Sequence, residues 1–488
     1  MTETVIVWLR RDLRLADHPA LHLALARGER PVPLYIHAPL EESPWAPGAA
    51  SRWWLHHSLA SLDLGLRARG GGLVLGRGDS LATLRAVVRA TGAQAVYWNR
   101  LYDPALTARD SRIKQALRAD GLRCESLKAH LLYEPWELAT GAAEPYRVFT
   151  AFWRKAAAGL AAPGPPPPPP LAPLPAPEAL PALPSGVASV PLDSLGLLPR
   201  IPWDGGLTAT WTPGEPAALT RLEQFLAQAA STYAQRRDLP SVAGTSRLSP
   251  HLHLGEISAR QVLWGLMRCG PDMLTGIAEP FVRELGWREF AHHLLYHFPR
   301  TPEEPLDGRF AAFPWRTERA DALLCAWQRG HTGIPLVDAG MRELWHTGWM
   351  HNRVRMVVAA FLTKHLRLPW QAGARWFWDT LVDADLAANT LGWQWSAGCG
   401  ADAAPYFRIF NPVRQGERFD PRGDYVRRWC PELAALADRW IHQPWAAPAQ
   451  VLEGAGIRLG QDYPAPVVDL AQSRQEALAA WSQVKALG

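Results

Sequence analysis

Apolar residues in the first 130 positions fall into short runs at 4–9, 33–37, 73–75, 95–98 and, interrupted by Arg123, Glu125 and Ser126, 122–127. Between these runs they recur every three to four residues, at 19–26, 53–67, 81–89 and 104–118. Continuous runs of this length read as strands buried on both faces, and the helical spacing reads as crossover helices. Their alternation predicts an α/β domain over residues 1–130, a doubly wound five-stranded parallel sheet whose ligands sit at the carboxyl ends of the strands. Asp17 stands before the first helical stretch as its expected N-cap. No G-x-G-x-x-G follows the first strand, and Gly70, Gly71 and Gly72 precede a strand instead of opening a helix, so the usual dinucleotide fingerprint is missing.

The pattern changes at about residue 131. From there to 206 Pro, Ala and Leu dominate, with six consecutive prolines at 165–170, the composition of a semi-rigid spacer between domains. Beyond it helical periodicity takes over at 215–230, 257–267, 280–297, 321–329, 337–346, 351–365 and 375–390. Residues 207–488 therefore read as a mostly α-helical domain, with no repeat of solenoid period.

Composition narrows the class. A chain of 488 residues, 48% hydrophobic and 20% charged, is globular and long enough for two or more cores. No apolar stretch reaches the length of a membrane span, and Arg10, Arg11 and Asp12 follow too soon after Met1 for a signal peptide, so a cytoplasmic protein without membrane partners is expected. The five cysteines, Cys124, Cys269, Cys325, Cys399 and Cys430, are odd in number and scattered, which suggests neither a disulfide framework nor a metal site. With a net charge of only +5, attraction to nucleic acid would have to come from a local patch. The 24 tryptophans exceed what packing asks, because a buried indole N–H wants a partner.

Four segments carry candidate chemistry. Gly244-Thr245-Ser246-Arg247-Leu248-Ser249-Pro250 puts three hydroxyls, a guanidinium and several backbone N–H groups into one turn, which suits a phosphate or a capping turn. Glu284, Trp287 and Arg288 share one helical face, as a functional cluster or as a surface ion pair beside a core tryptophan. Asn352 and Met356 share a face at i,i+4, with Arg353 expected to point elsewhere. If a helix continues through Gly392, Asp385, Asn389 and Trp393 form a line at spacing four. A carboxylate, an amide and an indole on an otherwise apolar helix are costly to bury unpaired, and a heteroaromatic ligand with ring nitrogens and carbonyls would satisfy them.

In chain order, V-W-L-R-R-D-L-R-L, G-T-S-R-L-S-P, E-L-x-W-R-E-F, T-G-I-P-L-V-D, G-W-M-H-N-R-x-R-M, D-x-D-L-A-A-N…G-W-Q-W and D-A-A-P-Y-F-R-I-F-N-P resemble the DNA photolyase/cryptochrome family. The likeness is greatest to the bacterial class I enzymes that repair cyclobutane pyrimidine dimers. It runs from about residue 4 into the C-terminal region and leaves out the proline spacer. The resemblance implies light-driven repair of such dimers by electron transfer from photoexcited, anionic reduced FAD to a dimer flipped out of damaged DNA. A monomer that associates with the nucleoid when bound to DNA is expected.

Residue by residue, the resemblance assigns Tyr233, Thr245, Ser246, Arg247, Leu248 and Ser249 to the FAD phosphates, with Arg288 and Asn352 completing the cradle. Arg355 and Asp383 would pair across the isoalloxazine, Asp385 would lie near its polar edge and Asn389 would face N5, where a neutral amide supports the reduced anion without adding negative charge. Trp287 and Trp395 match the pair that stacks on the flipped dimer, with Glu284, Asn352 and Met356 beside them. Trp393, Trp370 and Trp327 match the chain of tryptophans through which oxidised flavin is reduced from the surface. Arg237, Arg353 and Arg408 match phosphate-contacting positions that orient DNA without reading its sequence.

Two departures from the family pattern bear on function. Asp103-Pro104-Ala105-Leu106 stands where folate-binding members carry an Asn-Glu pair, which leaves the antenna chromophore open among a folate, a deazaflavin, a flavin or none. Asn352 and Met356 stand where the (6-4) repair class carries histidines, which weighs against (6-4) activity. The rival readings are a cryptochrome-type blue-light photoreceptor using the same pocket, and a nucleotide-binding protein with a helical interaction domain and no light chemistry.

Overall fold

The structure is a computed structural model and describes residues 2–161, 172–270, 273–402 and 407–486; the six prolines lie outside the described residues. Five strands, β1 (Thr4–Leu9), β2 (Arg30–His37), β3 (Val74–Arg77), β4 (Ala95–Asn99) and β5 (Arg123–Leu127), form one parallel sheet in the order β3-β2-β1-β4-β5. The central strand β1 registers Ile6 against Val32 on one side and Val96 on the other. Helices α1 (Pro19–Ala26), α2 (Ala49–Arg67), α3 (Ser80–Thr91) and α4 (Pro104–Ala119) make the crossovers. Ile6, Trp8, Val32, Leu34, Val96 and Trp98 are buried together at the sheet, as expected of strands covered on both faces.

The cap of α1 differs from expectation. His18 is the N-cap, its Nδ1 accepting from the Leu21 amide at 3.1 Å. Asp17, fully buried, instead accepts from Leu174 N at 3.1 Å and Ser258 Oγ at 2.5 Å and pairs with Arg260 at 2.6 Å. A fully buried carboxylate needs several donors, and residues distant in sequence outcompete the local cap.

The spacer expected over 131–206 holds a helix, α5 (Phe149–Ala161), which packs on the long helix Glu279–His297. Gly286 makes this approach close: a Cβ there would lie 2.3 Å from the Trp153 ring. Gly286→Ala should destabilise the protein by about 1–3 kcal/mol through overpacking. Gly205→Ala, where a Cβ meets nothing within 4 Å, should not. Thermal unfolding of both variants checks this, and equal melting temperatures would refute it.

The continuous helix expected over 375–390 is two helices, Trp370–Thr380 and Leu386–Ala397, broken at 381–385. The break carries Asp383 and Asp385, both buried, and buried carboxylates are better served by side-chain donors than by a helix interior. Asp385 therefore precedes the helix that holds Asn389 and Trp393, and this helix does continue through Gly392. The expected helix over 351–365 is α-helical only for Asn352–Ala360 and ends in a π-helical turn, Phe361–His365.

The chain forms two compact units that do not follow its linear division. The first joins Met1–Ser231 with Ser246–Pro299 and Val382–Ala387; the second joins Thr232–Thr245 with Arg300–Leu381 and Ala388–Gly488. In the first, Glu256 is fully buried and accepts from Trp54 Nε1 at 3.0 Å and Gly214 N at 2.7 Å, which ties α2 to residues over two hundred positions away. In the second, Asp338 accepts from Thr332 N (2.7 Å), Gly333 N (2.9 Å) and Tyr463 OH (2.7 Å), so the carboxylate of T-G-I-P-L-V-D orders its own turn and the helix Pro335–Thr347. Among the described residues no helix is long and apolar enough to cross a membrane.

Candidate functional site

In the first unit Ser246, Arg247 and Leu248 lead into the short helix Ser249–His253. Arg247 takes a left-handed φ of 52°, which carries its guanidinium over the Trp211 ring at 5.4 Å. Ser246 Oγ accepts from Leu248 N at 3.3 Å, and Ser249 Oγ donates to Asp383 Oδ2 at 2.6 Å. The structure thus brings Ser249 and Asp383 together. Asp385 Oδ2 lies 3.4 Å from His292 Nε2 and 3.7 Å from His253 Nδ1. Burial alone would raise the Asp385 carboxyl, yet the two imidazoles hold it well below the ordinary carboxylate range, so it is an anion at neutral pH.

Arg288 is turned to His130, donating to its carbonyl at 3.0 Å and to Nε2 at 2.7 Å. His130, His292 and Asp385 each place a potential metal ligand within 4.8 Å of the others. The Arg288 guanidinium already occupies the His130 Nε2 lone pair, and its positive charge opposes a cation there. The cluster is better satisfied as a hydrogen-bonded network, in which His292 Nδ1–H donates to the Arg288 carbonyl at 3.0 Å and so turns Nε2 to Asp385. His292 and His130 carry no sequence signal of this role, which appears only when three distant segments meet.

On the helix Glu279–His297, Glu284 and Trp287 are half-buried. The Trp287 ring is parallel to Phe149 of α5, with centroids 3.6 Å apart and planes 9° from parallel, so the indole is held as a flat plate. In the same unit Arg10 and Arg109 flank the Trp8 ring at 4.4 and 4.8 Å. Asp103 is committed to Arg11 at 2.5 Å.

In the second unit Tyr233 is buried under Arg237, whose guanidinium lies 5.2 Å from its ring. Asn352 is exposed and Met356 half-buried on the helix Asn352–Ala360, capped by His351, whose Nδ1 accepts from Arg353 N at 3.2 Å. Arg353 does not point away from Met356 as expected: its Nη1 reaches Met356 Sδ at 3.9 Å while Nη2 pairs with Asp238 at 2.9 Å. Positions i and i+3 are also neighbours on a helix, and a long side chain spans them. Arg355 Nε donates to the Met350 carbonyl at 2.7 Å.

Asn389 Nδ2 donates to the Ala374 carbonyl at 3.0 Å, which fixes its amide plane. Trp393 packs edge-on to Trp327 at 6.1 Å and to Phe377 at 5.0 Å, and Gly373 admits its ring, since a Cβ there would lie 2.1 Å away. Trp393, Trp370 and Trp327 are at most 2% exposed, so none of them is the surface end of a tryptophan chain. Two tryptophans that the motifs do not single out are more exposed. Trp315 is half-buried, with Arg316 N bonded to the Arg367 carbonyl at 2.7 Å just before Trp370, and Trp345 is 60% exposed and stacked on Trp376. Trp395 is half-buried under Arg408, whose guanidinium lies 5.3 Å from its ring. Between the two tryptophans, Gln394 donates to the Thr301 and Glu304 carbonyls and accepts from Leu306 N, which explains the glutamine of G-W-Q-W as a structural tie.

The five-stranded parallel sheet is followed by a mostly helical region, and the described residues include a hydroxyl-rich turn, buried carboxylates and clustered tryptophans. Residues 281–483 match the family model described as the FAD binding domain of DNA photolyase, and residues 5–177 match that described as DNA photolyase. The chain is 48% identical over 485 residues to the deoxyribodipyrimidine photo-lyase of Agrobacterium fabrum, covering 99% of this chain and 98% of that one. It is 42% identical to cryptochrome-1 of Arabidopsis thaliana, over 98% of this chain and 70% of that one. The crystal structure of a bacterial class III photolyase from Agrobacterium tumefaciens superposes with a TM-score of 0.92 at 47% identity, covering 100% of this chain and 98% of that one. The chain belongs to the DNA photolyase/cryptochrome family and carries its FAD-binding domain.

Proposed function

We propose that this chain repairs cyclobutane pyrimidine dimers in DNA under blue light. The near-full-length likeness to a deoxyribodipyrimidine photo-lyase supports the reaction class, and the class III neighbour favours that class over the class I likeness read from the motifs. The observation that carries the reading is Trp287: a half-buried indole, backed face to face by Phe149, is a rigid plate on which an unpaired base can stack.

The residues suit FAD. The turn at Ser246, Arg247, Leu248 and Ser249 carries the hydroxyls, guanidinium and amides that a phosphate needs, and the Asp385 anion is an acceptor for a ring N–H. Bound reduced FAD supplies the photoexcited electron. In the first unit Ser249 and Asp383 fix one another, and in the second Asn389 offers a neutral amide held in place by Ala374. Trp287 and Trp395 provide stacking faces, Glu284, Asn352 and Met356 provide edge contacts, and Arg237, Arg353 and Arg408 hold phosphates in register. No side chain acts as a nucleophile.

The test uses purified holoprotein with chemically reduced flavin, illuminated in blue light with oligonucleotides carrying a cyclobutane dimer or a (6-4) photoproduct. Loss of the cyclobutane dimer alone is expected. Intact dimers after illumination would overturn the proposal in favour of the photoreceptor reading, which the likeness to cryptochrome-1 supports.

A further inference from the structure

Arg353 is held on four sides. His351 Nδ1 accepts its main-chain N–H at 3.2 Å, Nη2 pairs with Asp238 at 2.9 Å, Nη1 reaches Met356 Sδ at 3.9 Å, and the guanidinium lies 4.4 Å from the centre of the Phe419 ring. For all this the Arg353 side chain is still 19% exposed, and that of Asp238 35%. Asp238 comes from another segment, directly after Arg237, whose guanidinium lies over the Tyr233 ring. The ion pair therefore ties Arg353 to the stretch that carries Arg237.

The hold on the main chain is firm as well. His351 is buried, its N–H donates to Glu343 Oε2 at 3.3 Å, and the same oxygen accepts from Tyr425 OH at 2.7 Å. Burial, helped by the Arg353 and Arg355 cations, pushes the His351 imidazole down to about 4 in spite of Asp238 and the Arg237 main chain. At neutral pH the ring is uncharged, and Nδ1 stays an acceptor for the helix that Arg353 belongs to.

Charge balance alone does not explain Asp238. An ion pair built for its own strength would be bidentate, yet Asp238 takes one corner of the guanidinium fork and Arg353 Nε has no acceptor among the described residues. A part-exposed pair of this kind contributes little to stability. A carboxylate beside a cation that meets phosphate also repels the DNA, so it lowers affinity unless it returns something in orientation.

We propose that Asp238 is a positioning residue which, with His351 fixing the main chain, holds the Arg353 guanidinium in a set relation to Arg237, so that both cations are presented to the DNA backbone ready aimed. This rests on the DNA-repair reading above. Orientation and charge make opposite predictions: if Asp238 only offsets Arg353, removing its charge strengthens DNA binding, and if it aims Arg353, removing its charge weakens binding although the protein becomes more positive.

The test compares Asp238→Asn, Arg353→Ala and the double variant as full-length holoprotein with matched flavin content and melting temperature. Binding to dimer-containing and undamaged duplexes is measured in the dark at one salt concentration. Arg353→Ala should weaken both duplexes by about three- to tenfold, as loss of a phosphate contact does. Asp238→Asn should weaken both by about two- to fivefold, and the double variant should bind no more weakly than Arg353→Ala. Tighter or unchanged binding by Asp238→Asn, or losses that multiply in the double variant, would overturn the proposal. Should Asp238→Asn fail to fold, His351→Ala and His351→Asn take its place: alanine removes the cap and should weaken binding with the same non-additivity, while asparagine, itself a good N-cap, should restore it. Weakening by alanine without recovery by asparagine counts against the proposal. Wild-type protein that leaves dimers intact under light sinks the repair reading instead, so the two failures are distinguishable.

Discussion

Trp393→Phe is expected to reduce photoreduction of oxidised FAD to background while enzyme reduced chemically beforehand still repairs dimers. Phenylalanine fills most of the ring space beside Gly373 and Trp327 but is far harder to oxidise than indole. Removing the larger ring costs packing, so flavin content and the melting temperature are recorded alongside the bleaching of oxidised flavin under blue light with an external reductant. Trp327→Phe should behave likewise, because Trp327 is fully buried edge-on to Trp393 and its N–H is committed to the Val358 carbonyl at 3.1 Å. Photoreduction at the wild-type rate in Trp393→Phe would remove Trp393 from the electron path. Loss of photoreduction and of repair together, with flavin retained, would show that the substitution damages the flavin environment itself.

Trp287→Ala is expected to weaken binding to dimer-containing DNA by roughly ten- to a hundredfold, since stacking on an aromatic face is worth about 1–3 kcal/mol per base. Undamaged duplex, which offers no extruded base, should be bound almost as before. The parallel Phe149 ring lies behind the indole, so Phe149→Leu should give a smaller loss of the same kind by letting the plate tilt. Fluorescence anisotropy with both duplexes at one salt concentration measures the ratio. Equal weakening of the two would mean that Trp287 contributes packing and not lesion recognition.

The parts legible in sequence and the parts that were not differ for physical reasons. β1 runs over the residues its apolar pattern predicts, because a strand covered on both faces leaves its composition no choice. α5 inside the proline-rich stretch was hidden by composition; Phe149, Phe152 and Ala156, three and four residues apart and all buried, are the signal that marks it. The break at 381–385 was missed because Asp383 and Asp385 satisfy the helix period while their partners, Ser249, His253 and His292, come from far along the chain. The candidate site was read mostly from motif resemblance, which names residues without their neighbours. It gave no sign that Arg288 is turned to His130, that Arg353 reaches Met356, or that a tryptophan chain ending at Trp327 stops inside the protein.

Asp17 gives the order of synthesis a physical meaning. Translation proceeds at roughly 5–20 residues per second, so this carboxylate leaves the ribosome roughly 12–48 s before Ser258 and Arg260, its partners some 240 positions later. During that wait the five strands are already made, but the acid destined for their buried side has no donor from that region. The donors that let this carboxylate be buried are therefore among the last parts of its surroundings to be made.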